Sequence, residues 1–169
     1  AFVTELRCRH ASGMEIVAAV CGSLFAVRAP LSRCVILQFQ DVTARARAES
    51  RLHHIANHDS LTDLANRNCF MDQLRKAVES AAKHPERRFA VLFLDFDRFK
   101  LVNDSLGHGA GDALLKGVAR RLQSQLRPTD LVARFGGDEF AILLQDAKAD
   151  QEATRLAQRV RSLPRPDLI

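Results

Sequence analysis

Two short apolar runs, Leu131–Phe135 and Phe140–Leu144, are separated only by Gly136-Gly137-Asp138-Glu139. Runs of strand length joined by glycines that accept positive φ read as a β-hairpin. A third run, Phe89–Leu94, is continuously apolar over strand length and drives straight into Asp95-Phe96-Asp97. Helical periodicity surrounds these strands. Phe70, Leu74, Ala77, Val78 and Ala81 fall on one face, Leu114, Val118 and Leu122 on another, and Ala153, Leu156, Ala157 and Val160 on a third. The order helix, strand, helix, hairpin, helix predicts an α/β fold, a central mixed sheet with flanking helices.

Residues 1–41 read differently. Three extended runs, Phe2–Arg9, Glu15–Val27 and Cys34–Gln40, are separated by Ser12-Gly13 and Pro30 and predict a short antiparallel sheet. Three strands bury little by themselves, so a covering layer from chain upstream is expected. From Val42 to Asn57 the composition shifts to Ala, Arg, Glu and Leu, with Asp41 or Thr43 as N-cap, which predicts a connecting helix. Its apolar stripe is one turn, Leu52, Ile55 and Ala56, enough to permit pairing with a second copy without demanding it.

The chain has 169 residues, 47% of them apolar, which suits one domain or one domain and a piece of another. No run approaches the roughly 20 apolar residues of a membrane helix. The start also lacks the ordered segments of a secretory signal. A soluble, cytoplasmic piece with no membrane segment is expected. Cys8, Cys21, Cys34 and Cys69 are scattered with no C-x-x-C pair, as in a reducing compartment. The net charge of +5 comes from dispersed residues, and Trp and Tyr are absent. No aromatic and basic stripe exists for nucleic acid, so none is expected as a partner.

The residues suggest a chemistry. Ligand sites in α/β sheets lie at the carboxyl ends of strands, where Asp95 stands. Gly136 and Gly137 permit close backbone approach, and Asp138 and Glu139 follow at once. If hairpin and strand are neighbours, their carboxylates converge and call for a cation. Oxygen-only donors favour Mg2+ or Mn2+, and magnesium commonly shares phosphates with its substrate. A second constellation, Gly107-His108-Gly109-Ala110-Gly111-Asp112, reads as a glycine-rich loop opening a helix near Asp112. It is either a phosphate cradle, which an acidic residue opposes, or a reader of guanine's N–H edge together with Asn103. The plainer alternatives are a capped helix start and a loop amide.

Gly136-Gly137-Asp138-Glu139-Phe140 resembles the signature of the GGDEF family of diguanylate cyclases. Upstream, His58-Asp59-Ser60-Leu61-Thr62-Asp63-Leu64-Ala65-Asn66-Arg67 is similar to the family's opening motif. Phe93 through Lys100 looks like its metal strand, and Asn103 through Asp112 its guanine loop. The resemblance spans about residues 53–161 and implies magnesium-dependent joining of two GTP molecules into cyclic di-GMP. It implies magnesium at Asp95, Asp138 and the Phe96 carbonyl, with Asp138 also the base for the 3′-hydroxyl and Glu139 beside it. It implies guanine recognition by Asn103 and Asp112, phosphates on the backbone of Arg98 and Phe99, and Lys100 stabilising their charge. Gly136 and Gly137 belong to the substrate side. Since each site holds one GTP, the resemblance implies a homodimer, formed through this domain and the helix before it.

Arg127-Pro128-Thr129-Asp130 resembles the family's R-x-x-D site, implying inhibition by cyclic di-GMP at Arg127 and Asp130. The plain alternative is a helix end with a surface Arg/Asp pair. His53, His54 and His58 stand near i, i+4 spacing. With no Cys or further ligand pair beside them, they read as surface histidines rather than a metal site. Residues 1–44 look like the last strands of a PAS sensor domain, 45–57 a signalling helix, and 58–169 the cyclase domain. Family domains continue further, so a fragment cut at both ends is expected, with weak or no activity alone. The other reading is a catalytically inactive GTP-binding module that regulates an attached phosphodiesterase or other output domain.

Overall fold

The computed structural model describes residues 2–28, 31–145 and 150–161. Two compact units divide the chain, one ending at His53 and one beginning at His54. In the first, β1 (Phe2–Arg9), β2 (Glu15–Arg28) and β3 (Leu31–Asp41) form an antiparallel meander in the order β1-β2-β3. Gly13, at φ +85°, makes the first turn, where a side chain would be strained. β3 starts at Leu31, earlier than the apolar pattern suggests, and Pro30 lies outside the described residues. Ala18 and Val20 are buried, whereas Phe2, Leu24, Val35, Leu37 and Phe39 are exposed.

Helix α1 (Thr43–Asn57) follows. Asp41 starts it, its carboxylate accepting the Thr43 N–H at 2.9 Å. The Thr43 hydrogen bonds hold that carboxyl below the ordinary Asp range. Thr43 Oγ1 accepts the Val17 N–H at 2.8 Å and Val17 O accepts the Val42 N–H, so the helix start is stitched to β2. Leu52 and Ile55 are exposed on α1.

The second unit contains β4 (Ala65–Asn66), α2 (Arg67–Lys83), β5 (Ala90–Leu94), α3 (Phe99–Leu106), α4 (His108–Ser124), β6 (Leu131–Gly136), β7 (Glu139–Leu144) and α5 (Asp150–Arg161). Its sheet order is β4-β6-β7-β5. β4 runs parallel to β6, and the other pairs are antiparallel, giving a mixed sheet between helices. Alternation along β7 builds both layers. Phe140, Ile142 and Leu144 join Leu115, Val118 and Leu122 of α4 and Leu156 of α5. Ala141 and Leu143 join Phe70 of α2 and Ala133 of β6. A strand buried on both faces explains why its apolar run is unbroken.

The helical stripes are narrower than the periodicity suggests. Phe70 is buried and Leu74 and Ala77 pack beneath it, but Val78 is 48% exposed. Val78 stands about 100° around the helix from Ala77, beyond the contact line. Ala157 of α5 is exposed for the same reason. Two elements escape the sequence patterns: β4, two residues long, and α3. Among the described residues, no helix is long and apolar enough to cross a membrane.

Phe140 is fully buried where β7 meets α4. Phe140→Ala should cost about 3–5 kcal/mol through lost transfer energy and a cavity. Urea denaturation monitored by circular dichroism should show a lower midpoint, with Phe140→Leu between the two.

Candidate functional site

The register of β5 on β7 builds the site. Pairing runs from Ala90↔Leu144 to Leu94↔Phe140, so the carboxyl end of β5 arrives at the start of β7. Asp95 therefore follows at the sheet edge beside Glu139. Gly136 pairs with Glu139 and closes a tight turn on Gly137-Asp138, with φ +137° at Gly136 and +53° at Gly137. Both values favour glycine over any side chain. The Phe96 ring stands edge-on to Phe140 at 5.7 Å and anchors the chain as it leaves β5. Asp95 and Glu139 are exposed and Asp138 is half-buried. The three carboxylates share this edge, though one oxygen from each does not bring all three within 4.8 Å of one another. An all-oxygen set at the end of a strand fits magnesium or manganese by donor type.

α3 begins at the same edge. Its N-cap, Arg98, sits in the left-handed region at φ 64°, ψ 22°. That conformation costs a non-glycine residue about 1–2 kcal/mol. Local hydrogen bonds hold it: Phe96 O accepts the Phe99 N–H at 3.2 Å, and Arg98 O the Leu101 N–H at 3.0 Å. A helix start also presents N–H groups without helical partners. The Phe99 N–H is already engaged by Phe96 O, so an anion at the Arg98–Phe99 backbone would compete for it, with exposed Lys100 next along.

The glycine-rich stretch is a helix, not a loop. α4 starts at His108, with Gly107 as N-cap at φ 82°, and Asp112 lies inside it. This corrects the expected start near Asp112 and removes its reading as a cap. Glycine is needed at Gly111 for closeness. A Cβ there would overlap Asn103 Oδ1 and stand 3.2 Å from the Phe99 ring. Asn103 of α3 is thereby seated against α4 at the residue preceding Asp112.

Arg134 is the positioning residue that motif reading passed over. Its guanidinium donates to Gly137 O at 3.0 and 2.8 Å and to Asp59 Oδ1 and Oδ2 at 2.9 and 3.1 Å. Asp59 Oδ1 also accepts the Thr62 N–H and hydroxyl at 2.9 and 2.6 Å. One arginine thus ties the hairpin turn to the loop before β4. Burial is the largest single influence on Asp59 and opposes ionisation. The Thr62 and Arg134 hydrogen bonds together outweigh it and hold the carboxyl below its ordinary range. The signal was present in the sequence: one arginine inside the apolar run Leu131–Phe135.

Arg127 and Asp130 form the turn between α4 and β6, at the far end of β6 from Gly136. The Arg127 N–H donates to Asp130 Oδ2 at 3.0 Å, and the Gln145 N–H to Asp130 Oδ1 at 3.3 Å. Asp130 thus also has a structural task. The histidines acquire a partner that spacing did not show. Asp63, at φ 62°, turns its carboxylate onto His54 at 2.8 Å.

Residues 56–166 match the family described as diguanylate cyclase, GGDEF domain. The chain is similar to the diguanylate cyclase TpbB of Pseudomonas aeruginosa, 51% identical over 109 residues, covering 64% of this chain and 25% of that protein. It is 44% identical over 124 residues to the bifunctional diguanylate cyclase/cyclic di-GMP phosphodiesterase MucR of the same species, covering 73% of this chain and 18% of that protein. Among solved structures it is similar to the coiled coil and GGDEF domain of DgcB from Caulobacter crescentus in complex with c-di-GMP. There the identity is 30% and the TM-score 0.64, covering 69% of this chain and 61% of that one. The chain spans a quarter or less of the length of these two curated relatives.

Two measurements probe this geometry. Asp59→Asn should lose about 1.5–3 kcal/mol, the worth of hydrogen bonds to a charged group. A carboxyl depressed on folding stabilises above its unfolded value of about 3.9 and loses that contribution as pH falls through the lower folded value. The gap between wild type and Asp59→Asn in urea should therefore close below about pH 4. Gly111→Ala should cost about 1–3 kcal/mol by displacing Asn103. Gly109→Ala, where a Cβ meets nothing within 4 Å, should not lower the urea midpoint.

Proposed function

We propose that this chain, which belongs to the GGDEF family of diguanylate cyclases, binds GTP at the β5–β7 edge and, as one of two facing copies, joins two GTP into cyclic di-GMP. The supporting observation is the register that sets Asp95 beside the turn carrying Asp138 and Glu139. Asp95, Asp138 and the Phe96 carbonyl are the groups to hold Mg2+ or Mn2+. When bound, the cation neutralises developing phosphate charge and acidifies the attacking hydroxyl.

Each protein group then has a task. Gly136 and Gly137 let the backbone approach the nucleotide. The Arg98–Phe99 backbone holds phosphate oxygens, and Lys100 offsets their charge. Asn103 and Asp112 read guanine, Asp112 accepting from its N–H edge and Asn103 both donating and accepting. Asp138 takes the 3′-hydroxyl proton as the 3′-oxygen bonds to the α-phosphorus and pyrophosphate leaves, with Glu139 beside it. The cyclic product needs two such bonds, so two copies face each other, and exposed Leu52 and Ile55 offer α1 an apolar contact. Cyclic di-GMP is the ligand proposed for Arg127 and Asp130. That DgcB was solved with c-di-GMP supports the ligand type.

Residues 1–44 are proposed as the closing strands of a PAS-like sensor, 45–57 as a signalling helix and 58–169 as the cyclase domain. The meander running into α1 supports this division. GTP as substrate argues for a cytoplasmic location. A second reading, a GTP-binding module that tunes an attached phosphodiesterase or other output domain without turnover, draws support from NbdA of Pseudomonas aeruginosa, 47% identical over 113 residues, whose name is cyclic di-GMP phosphodiesterase alone.

The test is conversion of labelled GTP with Mg2+ by the full-length protein, read by chromatography. Cyclic di-GMP from wild type, reduced about 10²-fold or more in Asp138→Ala and Asp95→Ala, supports the cyclase. GTP binding without product from wild type supports the regulatory module. Equal product from wild type and Asp138→Ala refutes the assignment.

A further inference from the structure

The second unit carries a cluster that the proposed cyclase chemistry does not use. His54 and His58 stack one helical turn apart, ring centroids 4.2 Å apart and planes 13° from parallel. The His58 N–H still donates to His54 O, so one ring projects from the last turn of α1 and the other from the residue just after it. Asp63, in its left-handed conformation, folds back against them. A ring nitrogen of each histidine and a carboxylate oxygen of Asp63 all lie within 4.8 Å of one another.

We propose that His54, His58 and Asp63 form a binding site for Zn2+ or a neighbouring late first-row divalent cation. The hydrogen bonds favour this over a plain ion pair. His58 Nδ1 lies 3.0 Å from the Asp63 carbonyl, which can only accept. Nδ1 therefore carries the proton and Nε2 the lone pair, the arrangement in which a backbone carbonyl orients a metal-bound histidine. His54 Nε2 faces Asp63 Oδ1 at 2.8 Å, so a single proton stands where a cation would bridge the two. On binding, that proton moves to Nδ1 or leaves to solvent.

The donor set selects the ion. Two imidazoles and one carboxylate suit zinc, whereas magnesium prefers oxygen alone. Three protein ligands leave a position for water, and the site opens on a cleft of about 580 Å3 also lined by Asp59, Asn66 and Arg134. Tetrahedral zinc places its ligand atoms about 3.4 Å apart, so His54 Nε2 and Asp63 Oδ1, now at 2.8 Å, must open slightly to admit the ion. His54 and Asp63 are exposed at 54% and 79% and have room to do so. Arg134 offers little repulsion, since Asp59 already neutralises it at 2.9 Å. A bound ion would pin the end of α1 to the loop bearing Asp59.

Competition between the intact chain and a chromophoric chelator for Zn2+ tests the site. One equivalent should bind, and His54→Ala, His58→Ala and Asp63→Asn should each weaken affinity about tenfold or more. Asp63→Asn suits the left-handed position and keeps the carbonyl contact, so it removes the charge without disturbing the loop. His84→Ala, at an exposed His–Glu pair, should change nothing. Because four thiols are free, Co2+ replaces Zn2+ in a spectroscopic arm, where tetrahedral bands without thiolate charge transfer are expected. Unchanged affinity in Asp63→Asn, or a thiolate band that carries the binding, overturns the proposal. Neither result bears on GTP turnover.

Discussion

Burial of β7 on both faces is the constraint on which the second unit rests. Phe140, Ile142 and Leu144 cannot reach water without opening the α4–α5 layer, nor Ala141 and Leu143 without opening the α2 layer. A slip of one residue would exchange these sets, putting the Phe140 ring where Ala141 leaves room for Phe70. Register is therefore locked by packing, and the same register sets Asp95 beside the glycine turn. The core and the candidate site are consequences of one alignment.

Packing alone does not set the turn itself. Gly136 and Gly137 at positive φ have no side chains to hold them, and flexible residues need an outside tether. Arg134 supplies it, with Nε and Nη2 donating to Gly137 O and Nη1 to both oxygens of the Asp59 carboxylate. The pair is only 11% and 18% exposed, so screening by water is weak. The charges are part-buried, and each is compensated by the other and by Thr62. The site backbone is thereby fixed while its carboxylates stay at the surface.

What was legible in the sequence follows from where one force acts alone. β5, β6 and β7 are apolar runs bounded by glycine or aspartate, so burial writes them plainly. α3 was not, because its eight residues straddle the proposed ligand residues and its N-cap is a strained arginine rather than Ser, Asp or Asn. The start of α4 misled for a related reason: Gly107, Gly109 and Gly111 suggest a loop by propensity, yet Gly107 is the N-cap of a helix that includes the other two, and Gly111 packs closely on α3. Carboxylate positions were visible as motif residues. The partners that orient them, Arg134 for the turn and Phe96 on Phe140, needed the sheet register before they had meaning.

The α3–α4 joint shows how a glycine can position a side chain that the proposed function assigns to recognition. Helix interiors disfavour glycine by about 1 kcal/mol relative to alanine, so one kept at a contact needs a compensating reason. At Gly111 that reason is the Asn103 carboxamide, which fills the space a Cβ would take, with the Phe99 ring also within 3.2 Å of that position. A carboxamide packed between two helices has few rotamers left, and donors held in place lose little entropy on meeting a partner. Asp112 follows on the next helical position and is exposed, its carboxylate available where Asn103 is fixed. Recognition of a guanine edge needs donor and acceptor at set positions. Under the proposed guanine reading, the joint would fix Asn103 through the missing side chain of Gly111.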